Sequence, residues 1–409
     1  MRDLIDETAR SGLVIFHEEV ARDGAQGKTL IGGKQRVSLA RRHSELFGKF
    51  ARHQLVFNAG FPSASKDEYE SVRQVVSEVD CCYVGASGRA TMEEADLLIK
   101  AVKGAAYGRI SIAVPTSGRM CSAMMHASPE ECLNKVLNII SYIRDKDDVS
   151  VIDVALMDAA RADISFTADS CVRLTENGAS MVIACDTVGG LFPSEACSFF
   201  SSLKTTVGDK ASLVAHMHND LGFGLINTLT ALSCGIRGIT SSWLGLGERA
   251  GMPATEQLLF LTGHEPEKLP ERLNVDGNLW TTPPDLKLLV PVARYVSQVT
   301  RRPLLTTDPI VGNGVNSLST GTPFVDLELF QPYDPEQILG VDQRIFLTPL
   351  ASKRIIVSVA CRLGLSPSPE HVELLMDWVK RESFDRGIGV IDEADFLHFA
   401  RKIDCPRSA

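Results

Sequence analysis

Eight short apolar runs alternate with amphipathic stretches over about the first 260 residues, and this alternation restricts the fold more than any other feature of the chain. The runs are Leu13–Phe16, Leu55–Phe57, Cys81–Val84, Arg109–Val114, Val149–Leu156, Met181–Cys185, Leu213–Met217 and Ile236–Trp243. Several are apolar nearly throughout, as expected of strands buried on both faces of a parallel sheet. The segments between them keep helical spacing. Lys34 to Phe50 sets Val37, Ala40, Phe47 and Phe50 near one stripe, and Met92 to Lys103 stops at Gly104. Leu225, Leu229 and Leu232 recur at i, i+4 and i+7 before Gly235. A doubly wound sheet shares this pattern, but eight units in about 250 residues match an α/β fold closed as a (β/α)8 TIM barrel.

The Pro-rich patch Thr281–Asp285, with Arg302 and Pro303 beyond it, reads as a boundary. The expected layout is a barrel over 1–275, a linker or arm over 276–325 and a small, mainly helical subdomain over 326–409. Within the last part, Val372–Lys380 and Glu393–Lys402 read as helices.

A net charge of −9 argues against general nucleic-acid binding. The charged start lacks a signal-peptide core, and no apolar run approaches the roughly 18 residues of a membrane span. Ten cysteines without a CxxC pair suggest reduced thiols and a cytoplasmic location.

Catalytic residues of such a barrel gather at the C-terminal ends of its strands. The seventh run ends in His216-Met-His218, and residues two apart on a strand share a face, so both imidazoles can address one point. Alone, an HxH is more often two ordinary histidines. The turn Arg22-Asp23-Gly24 leaves the first strand, however, and offers Asp23 as a carboxylate beside them. Two imidazoles and one carboxylate make a mixed N/O metal site with open positions, for Mg, Mn, Co or Zn. Arg22 would then stand next to the ion as a fixed cation for a developing oxyanion.

Five segments in register resemble the metal-dependent DRE-TIM metallolyase superfamily. They are Arg22–Gln26, Ala59–Pro62, Asp186–Gly189, His216–Gly222 and Gly247–Gly251. The layout is most similar to the homocitrate, isopropylmalate and citramalate synthases, whose resemblance covers about residues 13 to 262. It implies Asp23, His216 and His218 as ligands of a divalent ion and Arg22 as a catalytic residue. It also implies a 2-oxo acid pocket with Gln26, Asn58, Arg89, Thr116, Ser117 and Thr187 as binding residues, and acetyl-CoA as co-substrate. Asp308–Gly312, Tyr333–Glu336 and Leu339-Gly340 resemble the synthases' linker and small subdomains, which implies a homodimer whose arm covers the partner barrel. No amino-acid-binding feedback domain is expected after it. Glu248 is a candidate for holding a water or acting as base; pairing with Arg249 is its structural alternative.

Departures from the synthase pattern are specific. Asn58 stands where the signature has Glu, which predicts a mouth short of one carboxylate and suited to a more anionic 2-oxo acid. Met157 replaces a Glu, Ser111 a frequent His, and Met252 an Asn. Leu318 and Pro323 fall where the arm carries two histidines. The loop after the eighth strand has no cysteine, unlike that of 3-hydroxy-3-methylglutaryl-CoA lyase. The expected activity is Claisen condensation of acetyl-CoA with a 2-oxo acid. A lyase or aldolase running the reverse chemistry, or a non-catalytic relative, are the alternatives.

Overall fold

The computed structural model describes residues 3–146, 151–275, 277–319 and 330–407. The chain forms two compact units, Met1–Pro303 and Leu304–Ala409. In the first, eight parallel strands close into a barrel in sequence order: β1 (Ile15–Glu18), β2 (Leu55–Asn58), β3 (Tyr83–Arg89), β4 (Gly108–Pro115), β5 (Val151–Met157), β6 (Met181–Asp186), β7 (Ser212–Met217) and β8 (Gly238–Ser241). Closure is made by β1 pairing β8, with Ile15 opposite Gly238 and Glu18 opposite Ser241. Each strand is followed by helix, so alternate strand residues pack outward against helices while the others fill the lumen.

The phase of β1 shows both roles. Phe16 faces outward and stacks on Trp280, with ring centroids 5.7 Å apart, beside Phe47. Ile15 faces inward with Val56, Tyr83, Met181, Ile183 and Val214. Ile5 and Ala9 of the helix Leu4–Arg10 join that cluster and close the N-terminal end. There Arg109 is fully buried and held by Asp153 (2.5 and 2.8 Å) and Asp3 (2.9 Å). Burial works against this guanidinium's charge, but the two carboxylates outweigh it and raise its pKa.

Strands 1 and 3 begin two residues later than their apolar runs suggest, and Val149 and Ser150 lie outside the described residues. The first unit also extends past the expected limit at 275. The helix Leu289–Thr300 turns Val290, Val292, Ala293 and Val296 inward, and Arg42 lies over the Tyr295 ring at 4.7 Å. What reads as the start of an arm is therefore a strap on the barrel, and the units divide at Pro303.

The second unit is built from helices Lys353–Arg362, Pro369–Arg386 and Glu393–Lys402. They enclose Leu347, Ile355, Ile356, Val359, Leu375, Val379 and Phe396. Each has a serine or aspartate N-cap: Ser352, Ser368 and Asp392. Leu318 is buried in a two-residue strand paired with Arg344–Ile345, while Pro323 lies outside the described residues. Among the described residues no helix is long and apolar enough to cross a membrane.

Candidate metal centre

At the C-terminal mouth of the barrel, Asp23, His216 and His218 each present a donor atom, and the three atoms lie within 4.8 Å of one another. All three residues are buried. His216 Nε2 lies 3.4 Å from His218 Nε2 and 3.9 Å from Asp23 Oδ2. The spacing in β7 produces this meeting: His216 faces the lumen from the strand, and His218 follows at its end.

The surroundings fix the donors. Thr240 Oγ1 on β8 lies 2.9 Å from His216 Nδ1. With the Nδ1–H donating to that hydroxyl, Nε2 keeps its lone pair toward the cluster. Burial, and then the neighbouring His218 and Arg22, push the His216 pKa well below the usual imidazole range, so the ring is neutral. Asp23 Oδ1 accepts the Glu248 N–H at 2.9 Å. Burial would raise the Asp23 pKa, but Arg22 and this hydrogen bond hold it below the ordinary value. A neutral His216 and an ionised Asp23 are the protonation states a divalent cation requires of such ligands. The donor set therefore fits an ion.

Asp23 comes from a single helical turn, Asp23–Gln26, pressed against the loop after β8. A Cβ on Gly247 would stand 3.0 Å from Asp23 Oδ1 and 2.8 Å from Met252 Cγ, so only glycine lets that loop approach the carboxylate so closely.

Arg22 lies at the edge of the cluster, 19% exposed, between two carboxylates. Its Nε donates to Glu19 Oε2 at 2.5 Å, and its Nη2 is 3.3 Å from Asp23 Oδ2. Glu19 is buried, and its Oε1 is 3.4 Å from Asn58 Nδ2, which donates more closely to Ser87 Oγ (2.8 Å). The expectation that Asn58 leaves the mouth short of a carboxylate is thus corrected. Glu19 supplies one at the same place, from the residue that follows β1. The sequence signal was the strand phase: with Ile15 and His17 inward, Glu19 is the next inward residue. His17 lies deeper in the barrel, where burial and then Arg109 push its pKa down to about 3.

The remaining candidates lie at or just beyond the C-terminal ends of β3, β4, β6 and β8 and in the turn after β1. Thr116 is buried, and its Oγ1 has no partner among the described residues. Ser117 caps the helix Gly118–Met125 and donates to Asp158, which also accepts from Arg161 (2.7 Å). Thr187 Oγ1 accepts the Asp158 N–H at 2.8 Å. Asp158 and Arg249 hold positive φ (63° and 55°), conformations that non-glycine residues keep only when their surroundings enforce them. Arg89, 65% exposed, leans toward Glu94 (3.5 Å), and Gln26 is exposed at the end of its turn. Glu248 approaches Asp23 through its backbone, while its carboxylate is 3.1 Å from Arg249 Nη1; the structural alternative describes this arrangement. Arg249 in turn holds Asp220 (2.8 Å) and the Thr187 carbonyl (2.7 Å). This bracing by Asp158, Asp220 and Thr240 is not legible in the linear sequence.

Comparison with known proteins gives the family. A 2-isopropylmalate synthase of Caulobacter sp. (strain K31) is 29% identical over 316 residues, covering 76% of this chain and 57% of that protein. A putative (R)-citramalate synthase of Methanoculleus marisnigri is 30% identical over 353 residues, covering 84% of this chain and 64% of that one. The chain thus spans less than two thirds of these relatives' length. Among solved structures, the HMG-CoA lyase of Bacillus subtilis superposes with a TM-score of 0.57 at 16% identity, covering 72% of this chain and 96% of the lyase, which is a likeness of fold. The HMGL-like family description matches residues 22–289, from Arg22 at the mouth of the barrel to the first residue of the strap helix, and the chain belongs to that family.

Proposed function

We propose that this chain is a metal-dependent acyltransferase that condenses acetyl-CoA with a 2-oxo acid to a 2-substituted malate and free CoA. The observation that carries the reading is the buried Asp23–His216–His218 cluster with Arg22 at its edge. Relatives named 2-isopropylmalate synthase and citramalate synthase support it. Mg, Mn, Co or Zn, held by these three side chains, would supply Lewis-acid polarisation of the substrate's keto group.

The chain's own groups then have distinct tasks. Arg22 directs a guanidinium, fixed by Glu19, at the oxygen on which negative charge develops as the new C–C bond forms. Thr116 offers an unpartnered hydroxyl to a substrate carboxylate oxygen. Ser117 and Thr187 orient the loop after β5 through Asp158 and so shape the pocket wall. Glu248, half-exposed at the rim, is available to hold the water that hydrolyses the thioester, at the cost of its contact with Arg249. A homodimer in the cytoplasm completes the proposal; light scattering tests the first and cell fractionation the second.

The test is CoA thiol release from acetyl-CoA with a panel of 2-oxo acids and divalent metals, beside Asp23→Ala. Metal-dependent release with one acid, abolished in the variant, is the expected result. Absence of release, with acetyl-CoA or pyruvate liberated instead from a hydroxy-acid substrate, would replace the synthase by a lyase.

A further inference from the structure

Glu19 has no counterpart among the motif residues, yet it makes the closest polar contact of Arg22. Arg22 faces two carboxylates with one guanidinium. The Glu19 contact is 2.5 Å at Nε, and the Asp23 contact is 3.3 Å at Nη2. A charge-assisted hydrogen bond prefers 2.7–2.9 Å, so Asp23 is only loosely engaged. Glu19 itself is anchored. It is buried on the inward phase of β1, and Asn58 Nδ2 stands 3.4 Å from its other oxygen. Its carboxylate is absent from the three-residue donor cluster, so it is not placed as a ligand.

We infer that Glu19 is a positioning residue: it ties the Arg22 guanidinium away from Asp23, leaving that carboxylate free for a cation and the guanidinium pointed at substrate. This rests on the metal-centre reading above. Without the Glu19 charge, Arg22 closes on Asp23 as its only carboxylate partner and competes with the ion for it. Asn58 suits this arrangement, because a neutral amide lets one buried carboxylate occupy the space between β1 and β2 without a second charge against it.

The experiment is a double-mutant cycle on Mn2+ affinity, measured by calorimetry on the full chain. The proteins are wild type, Glu19→Gln, Arg22→Met and Glu19→Gln/Arg22→Met, with thermal melts confirming that each is folded. Glu19→Gln should weaken Mn2+ binding about ten-fold in the presence of Arg22 and less than three-fold in its absence. A purely through-space charge effect would be additive, giving the same loss in both backgrounds, and would overturn the inference. So would a Glu19→Gln variant that binds Mn2+ within two-fold of wild type. If Glu19→Gln does not fold, Glu19→Gln/Asn58→Glu returns a carboxylate to the same space from β2. Affinity within three-fold of wild type in that variant supports the inference, and a ten-fold loss counts against it. A wild-type chain that binds no Mn2+ overturns the metal reading and this inference together, whereas binding that is insensitive to Glu19 overturns this inference alone.

Discussion

Replacing Thr240 by Val tests whether the histidine pair is a prepared site or two packed imidazoles. Valine keeps the volume and β-branching of threonine, and position 240 is fully buried, so the substitution removes little besides the hydroxyl. That hydroxyl lies 2.9 Å from His216 Nδ1, whose other nitrogen faces His218 at 3.4 Å. Two costs follow. The Nδ1–H becomes a buried donor without a partner, a loss of about 1–3 kcal/mol, or roughly 2–5 °C in melting temperature for a unit of this size. The ring also loses the contact that sets its tautomer and rotation; outer partners of metal-bound histidines are worth about 10- to 100-fold in affinity. Titration of the metal-free protein with Mn2+ or Zn2+ should show that weakening, with the stoichiometry still one ion per chain. A variant that melts lower but binds the ion within two-fold of wild type would show that Thr240 serves only the barrel wall, and the argument for a prepared ligand would fail.

Three further outcomes follow from specific contacts. Gly247→Ala places a methyl 3.0 Å from Asp23 Oδ1 and 2.8 Å from Met252 Cγ, so Mn2+ affinity should fall at least about ten-fold with a small change in melting temperature. Unchanged affinity would mean that the loop yields freely. Arg109→Leu strands Asp153 and Asp3 at the closed end of the barrel and should destabilise the chain by about 3–5 kcal/mol in denaturant unfolding. Adding Asp153→Leu should recover part of that loss, and no recovery would refute the ion-pair account. Glu18, buried on the outer side of β1 with Thr255 at 2.6 Å and His43 at 3.7 Å, is pushed up to about 8 by burial. The folded state then holds this proton more tightly than the unfolded chain, whose value is near 4.5, so Glu18 costs stability as pH rises from 4.5 to 8. The slope is about 1.4 kcal/mol per pH unit. Glu18→Gln should flatten the decline in melting temperature between pH 4.5 and 8, and an unaltered pH profile would contradict the assignment.

The barrel was legible because buried parallel strands leave long apolar runs and their helices leave periodic stripes; both signals are local. Asp23, His216 and His218 were also accessible, since a two-residue spacing on a strand fixes a shared face. Boundaries were less accessible. Leu13 and Val14 are as apolar as the strand they precede, and only the pairing of Ile15 with Gly238 shows where β1 begins. The other end of β1 had a chemical consequence: the strand runs on to Glu18, so the next residue, Glu19, keeps the inward phase and lies beside Arg22. The bracing by Thr240, Asp158 and Arg249 joins residues 24 to 62 positions apart in the chain. No periodicity encodes such pairs. The strap helix was misplaced for a related reason: proline marks breaks in regular structure, and a break is compatible with continued packing on the same core.

Glu19 also changes the expected basis of substrate choice. With Asn58 alone, a mouth poorer in negative charge would favour a more anionic 2-oxo acid. With Glu19 counted, Asp23 and Glu19 against Arg22 leave one negative charge at the site, which a divalent ion converts to one positive charge. Asp158 cancels with Arg161, and at the exposed rim Arg249 is shared by Asp220 and Glu248. One positive charge matches the carboxylate common to all 2-oxo acids and separates none of them. Selection then falls to the lumen wall of β4 and β5, where Ser111, Ala113, Ala155 and Met157 face inward and stay only half-buried, so open space reaches them. Under the proposed function, the small side chains at 113 and 155, opposite each other in register, would set the room for the acid's substituent. Ala155→Val narrows that room by two methyl groups. It should lower kcat/KM at least about 10-fold for acids with longer substituents, since each methylene's worth of lost space is worth about 10- to 200-fold, and leave the shortest accepted acid nearly unaffected. Measuring kcat/KM across a homologous series decides the matter. A uniform fall for every acid would mean that position 155 acts on the fold or on the metal, and charge would again have to be considered as the discriminating feature.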